Sequence, residues 1–521
     1  MSHQEIFFSE NADLKKIIDG LNFKLETEIE KNKNYADEVE RLHEMLAELK
    51  RSKFGVKSER WESDEQMVFN EVEFFSKKED PLNEDAVDDR IAVKEHTKKR
   101  GHRKPLPKEL DREVIVVELP EAEQFTEDGL TPLKIIGYEI SEKLSYEPAR
   151  VKVIEYHRAK YGVDAGDYEK TAPPVPSIIP RSFATPELVA SIVTKKYAFG
   201  MPLYRIEEML KEIGVELPRQ TQARWVIAHA EASRSVYNIL CDRLLASFYV
   251  SCDETYTQVL KENGKKAESK SWMWVRSTPH AKNKIILFDY DPSRSSDVVK
   301  KLFEDFSGYL QVDGYASYNI LENKNGIIRI GCNMHGRRYF EQAKTEGANS
   351  GKTLAEVGLK FYQKLYDLEK EFKLLDLEEK QKQRLKMHVP IWDEFKLWVD
   401  DNIKKVPPKS KIGKAFKYFQ NEYENLVGYL KDPRLEMDNG FVERAIRKFA
   451  IGRNNWMFSD TEAGAEASAM FYSLLCTAKI NSVNTYDAMK YLFEQLPISN
   501  LAEDIEHLAD IIMGIKPIPS K

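Results

Sequence analysis

Cysteine is scarce in this chain. Four of 521 residues are cysteines (Cys241, Cys252, Cys332 and Cys476), none lies before position 241, and no two form a CxxC pair. That argues against a disulfide framework and for reduced, mostly structural thiols, as in a cytosolic protein. Long apolar runs are also missing: no stretch would cross a membrane, and no apolar N-terminal segment carries a cleavage site. The expected compartment is the cytoplasm, with no membrane partner. An overall positive charge is lacking too, since the net charge is −7. Its distribution is uneven, however. Residues 1–90 hold 14 basic and 24 acidic side chains, and the remainder holds 65 and 62. The acidity is concentrated at the N-terminus, so nucleic-acid binding downstream stays electrostatically open.

What is present suggests several domains. Residues 14–49 carry a heptad seam (Leu14, Ile18, Leu21, Leu25, Glu28, Asn32, Tyr35, Val39, Leu42, Leu46, Leu49) uninterrupted by proline. A coiled coil over 1–52 and a homo-oligomer are expected, with Asn32 at an a-type position that fixes register; an internal helical hairpin is the alternative. Residues 53–110 form an acidic connector followed by a basic linker. In KEHTKKRGHRKPLPK (94–108), Lys98, Lys99, Arg100, Arg103 and Lys104 would lie along phosphates or in a minor groove, or would simply be solvated. Strand-like runs predict a small β-module over 111–170. A helix, a Gly-containing turn and a second helix then predict a helix-turn-helix within 171–238. Its second helix would bring Arg219, Gln220, Thr221, Gln222 and Arg224 to base edges or phosphates, while Trp225, Val226 and Ala228 pack inward. A three-helix unit that binds no DNA has the same pattern.

From 240 onward the pattern becomes α/β. Strands are expected within 246–254, 269–278, 283–291, 308–315 and 326–334, with a helix between the third and fourth. That order is the one expected of a ribonuclease-H-like core. The fold class expected is therefore multidomain α+β. Its parts are the N-terminal coiled coil, the β-module, the helix-turn-helix, a ribonuclease-H-like catalytic core (240–345 and 433–480) split by a helical insertion (346–432), and a helical tail (481–521).

Three acids stand in settings that a nucleic-acid-cutting site needs. Asp253 (FYVSCDETYTQV) and Asp313 (YLQVDGYASYN) each follow a β-prone run, and Glu443 (DNGFVERAIRKFAIGRNNW) falls on a predicted helix. Three convergent carboxylates can hold two divalent cations, Mg²⁺ or Mn²⁺, and such a pair activates a water and stabilises a leaving oxygen at a phosphodiester. Asn439, Glu443 and Arg447 recur every four residues and share a helix face, with Arg444 nearby. Asp438 reads as a turn or N-cap residue. As a metal ligand it would need a partner glutamate near Lys479, and 476–481 contains none. Cys332 and His335 form a CxxH pair after a strand. A zinc site takes about four ligands, no complementary pair is evident, and a site-supporting role is expected instead. Arg337 and Arg338 follow as candidate phosphate contacts.

With those residues in view, the chain resembles transposases of the insertion-sequence-66 family, the large DDE-type subunit. The resemblance rests on RSKFGVKSERW, MPLYRIEEMLKEIGVELPRQT, VDGYASYN, GCNMHGRRYF and DNGFVERAIRKFAIGRNNWMFSD, and it covers nearly the whole length. It implies Asp253, Asp313 and Glu443 as a catalytic triad, Mg²⁺ dependence, and recognition of terminal inverted repeats in double-stranded DNA. It also implies cut-and-rejoin chemistry in a bacterial, nucleoid-associated setting, and small accessory proteins. One departure stands out. Family members commonly carry a cysteine-rich zinc module before the helix-turn-helix, and here no cysteine occurs in that stretch, so no zinc is expected there. Two alternatives remain: a non-catalytic DNA-binding descendant, and another two-metal nuclease such as a junction-resolving enzyme.

Overall fold

The computed structural model describes residues 20–32 (with 35, 38, 39 and 42), 151–162, 169–321, 326–344, 353–499 and 501–519. The chain divides into two compact units, 80–175 and the remainder. The expected linker contacts at 94–108 and most of the β-module lie outside the described residues. Within 151–175, strand β1 (Lys160–Gly162) pairs antiparallel with β2 (Glu169–Thr171). Of the β-module expected over 111–170, residues 151–159 have no regular structure, and the apolar side chains Val151, Val153, Ile154 and Tyr156 there are exposed. In the other unit, residues 20–32 are helical, and the seam residues Leu21 and Leu25 are exposed. The seam positions before 20 and after 42 lie outside the described residues. Among the described residues, no helix is long and apolar enough to cross a membrane.

The centre of the larger unit is a six-stranded mixed sheet in the order β5-β4-β3-β6-β7, with β8 (Ser459–Thr461) on the far end of β3. The five strands expected between 246 and 334 all form: β3 (Tyr249–Lys261), β4 (Lys270–Ser277), β5 (Ile286–Asp291), β6 (Gly308–Val312) and β7 (Ile327–Gly331). Strand β4 runs antiparallel to both β3 and β5. Strands β3, β6 and β7 are parallel, so the chain must cross over between β5 and β6, which it does through helix Ser296–Leu302. Gly308 opens β6 at φ 137°, and a Cβ there would sit 2.4 Å from the Phe248 carbonyl oxygen. Only glycine lets β6 start so close to β3.

Edge strand β5 is covered rather than left open. Helix Glu462–Ile480 lies along it and presents Ser473, Thr477 and Asn481 at four-residue intervals. The backbone N–H of Phe288 donates to Ser473 Oγ (2.7 Å), that of Ile286 to Thr477 Oγ1 (3.1 Å), and that of Lys284 to Asn481 Oδ1 (2.9 Å). Thr477 Oγ1 and Asn481 Nδ2 donate back to the Ile286 and Lys284 carbonyls. Helix side chains thus satisfy the ladder groups that a further strand would otherwise seek.

The helical block after β7 has its own core. Helices Leu354–Phe372, Val389–Asn402 and Lys411–Leu426 pack Phe361, Trp392, Phe395, Phe416 and Phe419 together. Rings such as Phe361 and Phe395 stack at 4.6 Å. Buried Arg384 ties this core to the returning chain. It pairs with Glu369 through Nε (3.0 Å) and Nη2, and Nη2 also donates to the Leu435 carbonyl (3.0 Å). The segment it grips leads directly to Glu443. Burial raises the Glu369 pKa, but bonding to Arg384 outweighs burial, so the carboxyl ends below its ordinary range. A depressed pKa means that this contribution is present above the unfolded carboxylate range and is lost as pH falls through the folded value. Arg384→Met leaves the Glu369 charge with Lys380 (3.2 Å) as its remaining ion-pair partner and is expected to destabilise the insertion by about 3 kcal/mol, whereas Arg384→Met with Glu369→Leu restores most of that loss. Urea titration followed by tryptophan fluorescence reads both; equal losses in the single and double variants would contradict the pairing.

Candidate active site

Strand register explains the first convergence. Parallel pairing sets Ser251 beside Gln311. Two residues further on each chain stand Asp253, still within β3 and paired with Val275, and Asp313, one residue past the end of β6, so the two lie on the same face of adjacent strands. Asp253 Oδ1 accepts from the Glu254 backbone N–H (2.8 Å). Asp313 Oδ1 accepts from the Tyr315 N–H (2.9 Å) as the chain turns off β6.

Glu443 arrives from the first turn of helix Gly440–Trp456. The start of that helix is fastened by Asn439, which is buried. Its side-chain amide donates to the Cys252 carbonyl (3.1 Å) and its backbone N–H to Cys332 Sγ (3.2 Å). The residue before Asp253 is thereby bonded to the residue before the Glu443 helix. Asp438 Oδ1 accepts from the Gly440 N–H (2.9 Å), the turn role expected of it. The outcome is one cleft of about 270 Å³ whose wall includes Asp253, Asp313 and Glu443.

Other candidates separate around that cleft. His335, Arg338 and Arg447 also line it. His335 Nδ1 lies 3.7 Å and Arg338 Nη2 3.6 Å from Glu443 Oε1. Cys332 is buried behind them. Arg337 pairs instead with Glu341 (3.8 Å), and Arg444 is exposed beside the Phe441 ring; neither lines the cleft. Two charged lining residues escaped the sequence reading. Glu254 is buried, accepting from Tyr318 Oη (2.6 Å) and Arg294 Nε (2.6 Å). Arg294, in the β5–helix loop, lies over the Tyr315 ring at 3.8 Å. The available signal for Glu254 was an acid inside an otherwise buried strand; Arg294 had none.

The electrostatics follow from crowding. Burial pushes the Asp253 carboxyl well above its ordinary range, and Glu254, Asp313 and Glu443 add repulsion. Burial also raises Asp313, against the Tyr315 N–H and the guanidiniums of Arg294, Arg329 and Arg338. Glu254 is pushed up to about 7, by burial and then Asp313, against the pull of Arg294 and Tyr318. Burial, Arg338 and Arg294 hold His335 well below its usual value, so its ring is neutral. Buried acids that disfavour one another's ionisation fit a site for divalent cations, whose charge reverses that penalty. The buried Nε and Nη2 of Arg338 make no hydrogen bond, which leaves donors facing the cleft for an anion.

Where the sequence predicts a helix-turn-helix, helices Leu203–Glu212 and Arg219–Ala232 flank a turn at Gly214 (φ 80°). Arg219, Gln220 and Arg224 are exposed and Thr221 is half-buried. Gln222 is a correction. It is buried, and its amide donates to the Leu217 carbonyl (3.0 Å). The buried stripe of the helix runs Gln222, Trp225, Val226, His229, Ala230, so helical spacing places Gln222 on the core face.

Comparison with known proteins agrees with this architecture. A profile described as "Transposase IS66 family" matches residues 181–467, and one described as "Transposase C of IS166 homeodomain" matches 41–115. Three uncharacterised proteins of Sinorhizobium fredii are similar. Protein y4qI is 30% identical over 92% of this chain and 90% of its own length. Protein y4hP is 26% identical over 75% and 74%, and y4jD is 27% identical over 75% and 78%. No solved structure matches. The profile covering the sheet, the cleft and the Glu443 helix, together with a relative aligned over nearly the full length, shows that the chain belongs to the IS66 transposase family.

Proposed function

We propose that the chain is a DDE-type DNA transposase that cuts at transposon ends and joins them to target DNA. Its catalytic core, on this reading, is ribonuclease-H-like. One observation carries the proposal: Asp253, Asp313 and Glu443, which are 60 and 130 positions apart in sequence, line one cleft. The strand order β5-β4-β3-β6-β7, antiparallel on one side of β3 and parallel on the other, supports the core assignment.

The three acids would hold two Mg²⁺ or Mn²⁺ ions, whose chemistry is to activate the attacking oxygen and stabilise the leaving one. The chain's own residues do the rest. Arg294, Arg338 and Arg447 would grip the scissile phosphate and its neighbour from the cleft wall. Asn439 holds Glu443 beside Asp253. In the first step a water oxygen attacks phosphorus in line and the DNA 3′-oxygen leaves, taking a proton. In the second step that 3′-hydroxyl gives up its proton and attacks a target phosphorus in line, the target strand's own 3′-oxygen leaves and takes a proton, and the transposon 3′ end is joined to the target 5′-phosphate. No protein nucleophile is required.

Arg219, Gln220, Thr221 and Arg224 would meet the terminal inverted repeats, aided by the basic segment 98–104. Self-association through the 14–49 seam would pair two ends; light scattering of the chain with and without residues 1–50 tests it. Small accessory proteins are further expected partners. Retention of all three acids in one buried cleft favours this reading over an inactive DNA-binding descendant.

Asp253→Asn, Asp313→Asn and Glu443→Gln are each expected to lower Mg²⁺-dependent cleavage and joining about a thousand-fold or more, with end binding nearly unchanged. Gel assays on labelled end DNA measure both; near-normal joining by any one variant would remove that residue from the triad. Arg219→Ala should weaken end binding and lower the slope of log K against log salt by about one. Gln222→Ala should instead lower the melting temperature and leave that slope alone. A fall in slope for Gln222→Ala would reject its placement in the core.

A further inference from the structure

The Glu443 end of the cleft differs chemically from the aspartate end. One ligand atom each from Cys332, His335 and Glu443 lies within 4.8 Å of the other two. His335 Nδ1 and Glu443 Oε1 are 3.7 Å apart. Ligands bound tetrahedrally to zinc at about 2.0–2.3 Å stand about 3.5 Å from one another, so that pair is already near ligand spacing. The grouping is built from two helix starts. Cys332 precedes helix Asn333–Ala343, and His335 lies in its first turn. Glu443 lies in the first turn of the facing helix. Both N-terminal ends favour negative charge, and the Asn439 N–H already donates to Cys332 Sγ at 3.2 Å, a bond that also suits a thiolate. A second sign of a missing ligand is at the imidazole. His335 Nδ1 is buried and makes no hydrogen bond.

We propose that Cys332, His335 and Glu443 form a site for a borderline divalent cation of the Zn²⁺ or Co²⁺ class, and that filling it withdraws Glu443 from the Mg²⁺ pair and halts strand transfer. The inference rests on the transposase reading for its consequence, but not for the binding itself. Sulfur and imidazole ligands select borderline ions, whereas the carboxylates of Asp253 and Asp313 suit hard Mg²⁺. Glu443 belongs to both sets, so an oxygen it gives to the borderline ion is withdrawn from the Mg²⁺ pair. The sequence shows only the CxxH pair; its third ligand comes from 108 residues beyond His335 and is visible only in the fold. Binding deprotonates the thiol, and the proton leaves to buffer as the sulfur–metal bond forms.

The test is titration of the full chain with Co²⁺, without DNA, followed by absorption spectroscopy. A thiolate-to-cobalt charge-transfer band should grow to one equivalent, disappear on adding Zn²⁺, and survive excess Mg²⁺. Cys332→Ser should abolish the band. His335→Gln, whose side chain reaches the cleft, should keep the band but weaken Co²⁺ binding at least about tenfold; it decides the matter if Cys332→Ser fails to fold. Asp313→Asn should retain the band although it loses strand transfer, which separates this proposal from the triad assignment. No band in the wild-type chain, or a band and affinity unchanged in His335→Gln, would overturn the proposal.

Discussion

Four carboxyl groups in one cleft, Asp253, Glu254, Asp313 and Glu443, repel one another, and much of the surrounding structure serves to hold them there. Asp253, Glu254 and Asp313 all have raised proton affinities, chiefly through burial. Such a cluster would open if its supports were soft. Arg294 and Tyr318 hold Glu254 directly. Buried Arg329 spans the Glu422 carboxylate and the Asp313 carbonyl. Asn439 fixes the helix that delivers Glu443, and Arg384 fixes the segment that leads to it. The energetic cost of assembling the acids is thus distributed over bonds in three separate parts of the chain, and the convergence gains its purpose from the divalent charge it would receive.

The topology explains why one long insertion does not disturb this arrangement. The block from Leu354 to Leu426 buries its own aromatic core and meets the sheet along β7 and the Asn333–Ala343 helix. It leaves after Asp313 and returns before Glu443, so its internal packing can vary while its two anchor points stay fixed. On the opposite side, the hydroxyl and amide groups of Ser473, Thr477 and Asn481 close edge strand β5. The sheet that carries Asp253 is therefore bounded on both flanks.

Much of this was legible in the residues. Alternating β-prone runs marked the five central strands, because a buried sheet needs branched and aromatic side chains on its faces. Asp253 and Asp313 stood out because each follows such a run. Other features depend on contacts that sequence spacing does not encode. Glu254 went unremarked beside Asp253, because what buries its carboxylate, Arg294 and Tyr318, comes from distant segments. Gln222 was readable in principle, since it lies three and four residues before Trp225 and Val226 on the buried stripe; its polar side chain disguised that role. The pairing of Cys332 and His335 with Glu443 needs two helix starts to face each other.

Membership in the IS66 transposase family and the geometry of the cleft point the same way, and they meet in the claim that Asp253, Asp313 and Glu443 bind divalent cations together. Iron-directed cleavage tests that claim most directly. With Fe²⁺ in place of Mg²⁺, hydrogen peroxide as oxidant and ascorbate to return Fe³⁺ to Fe²⁺, hydroxyl radicals formed at the bound ion cut the nearby backbone. The account predicts chain fragments ending near residues 253, 313 and 443, suppressed by excess Mg²⁺ and lost in Asp253→Asn. Cuts that miss 253 and 313, or no site-specific cuts at all, would contradict it.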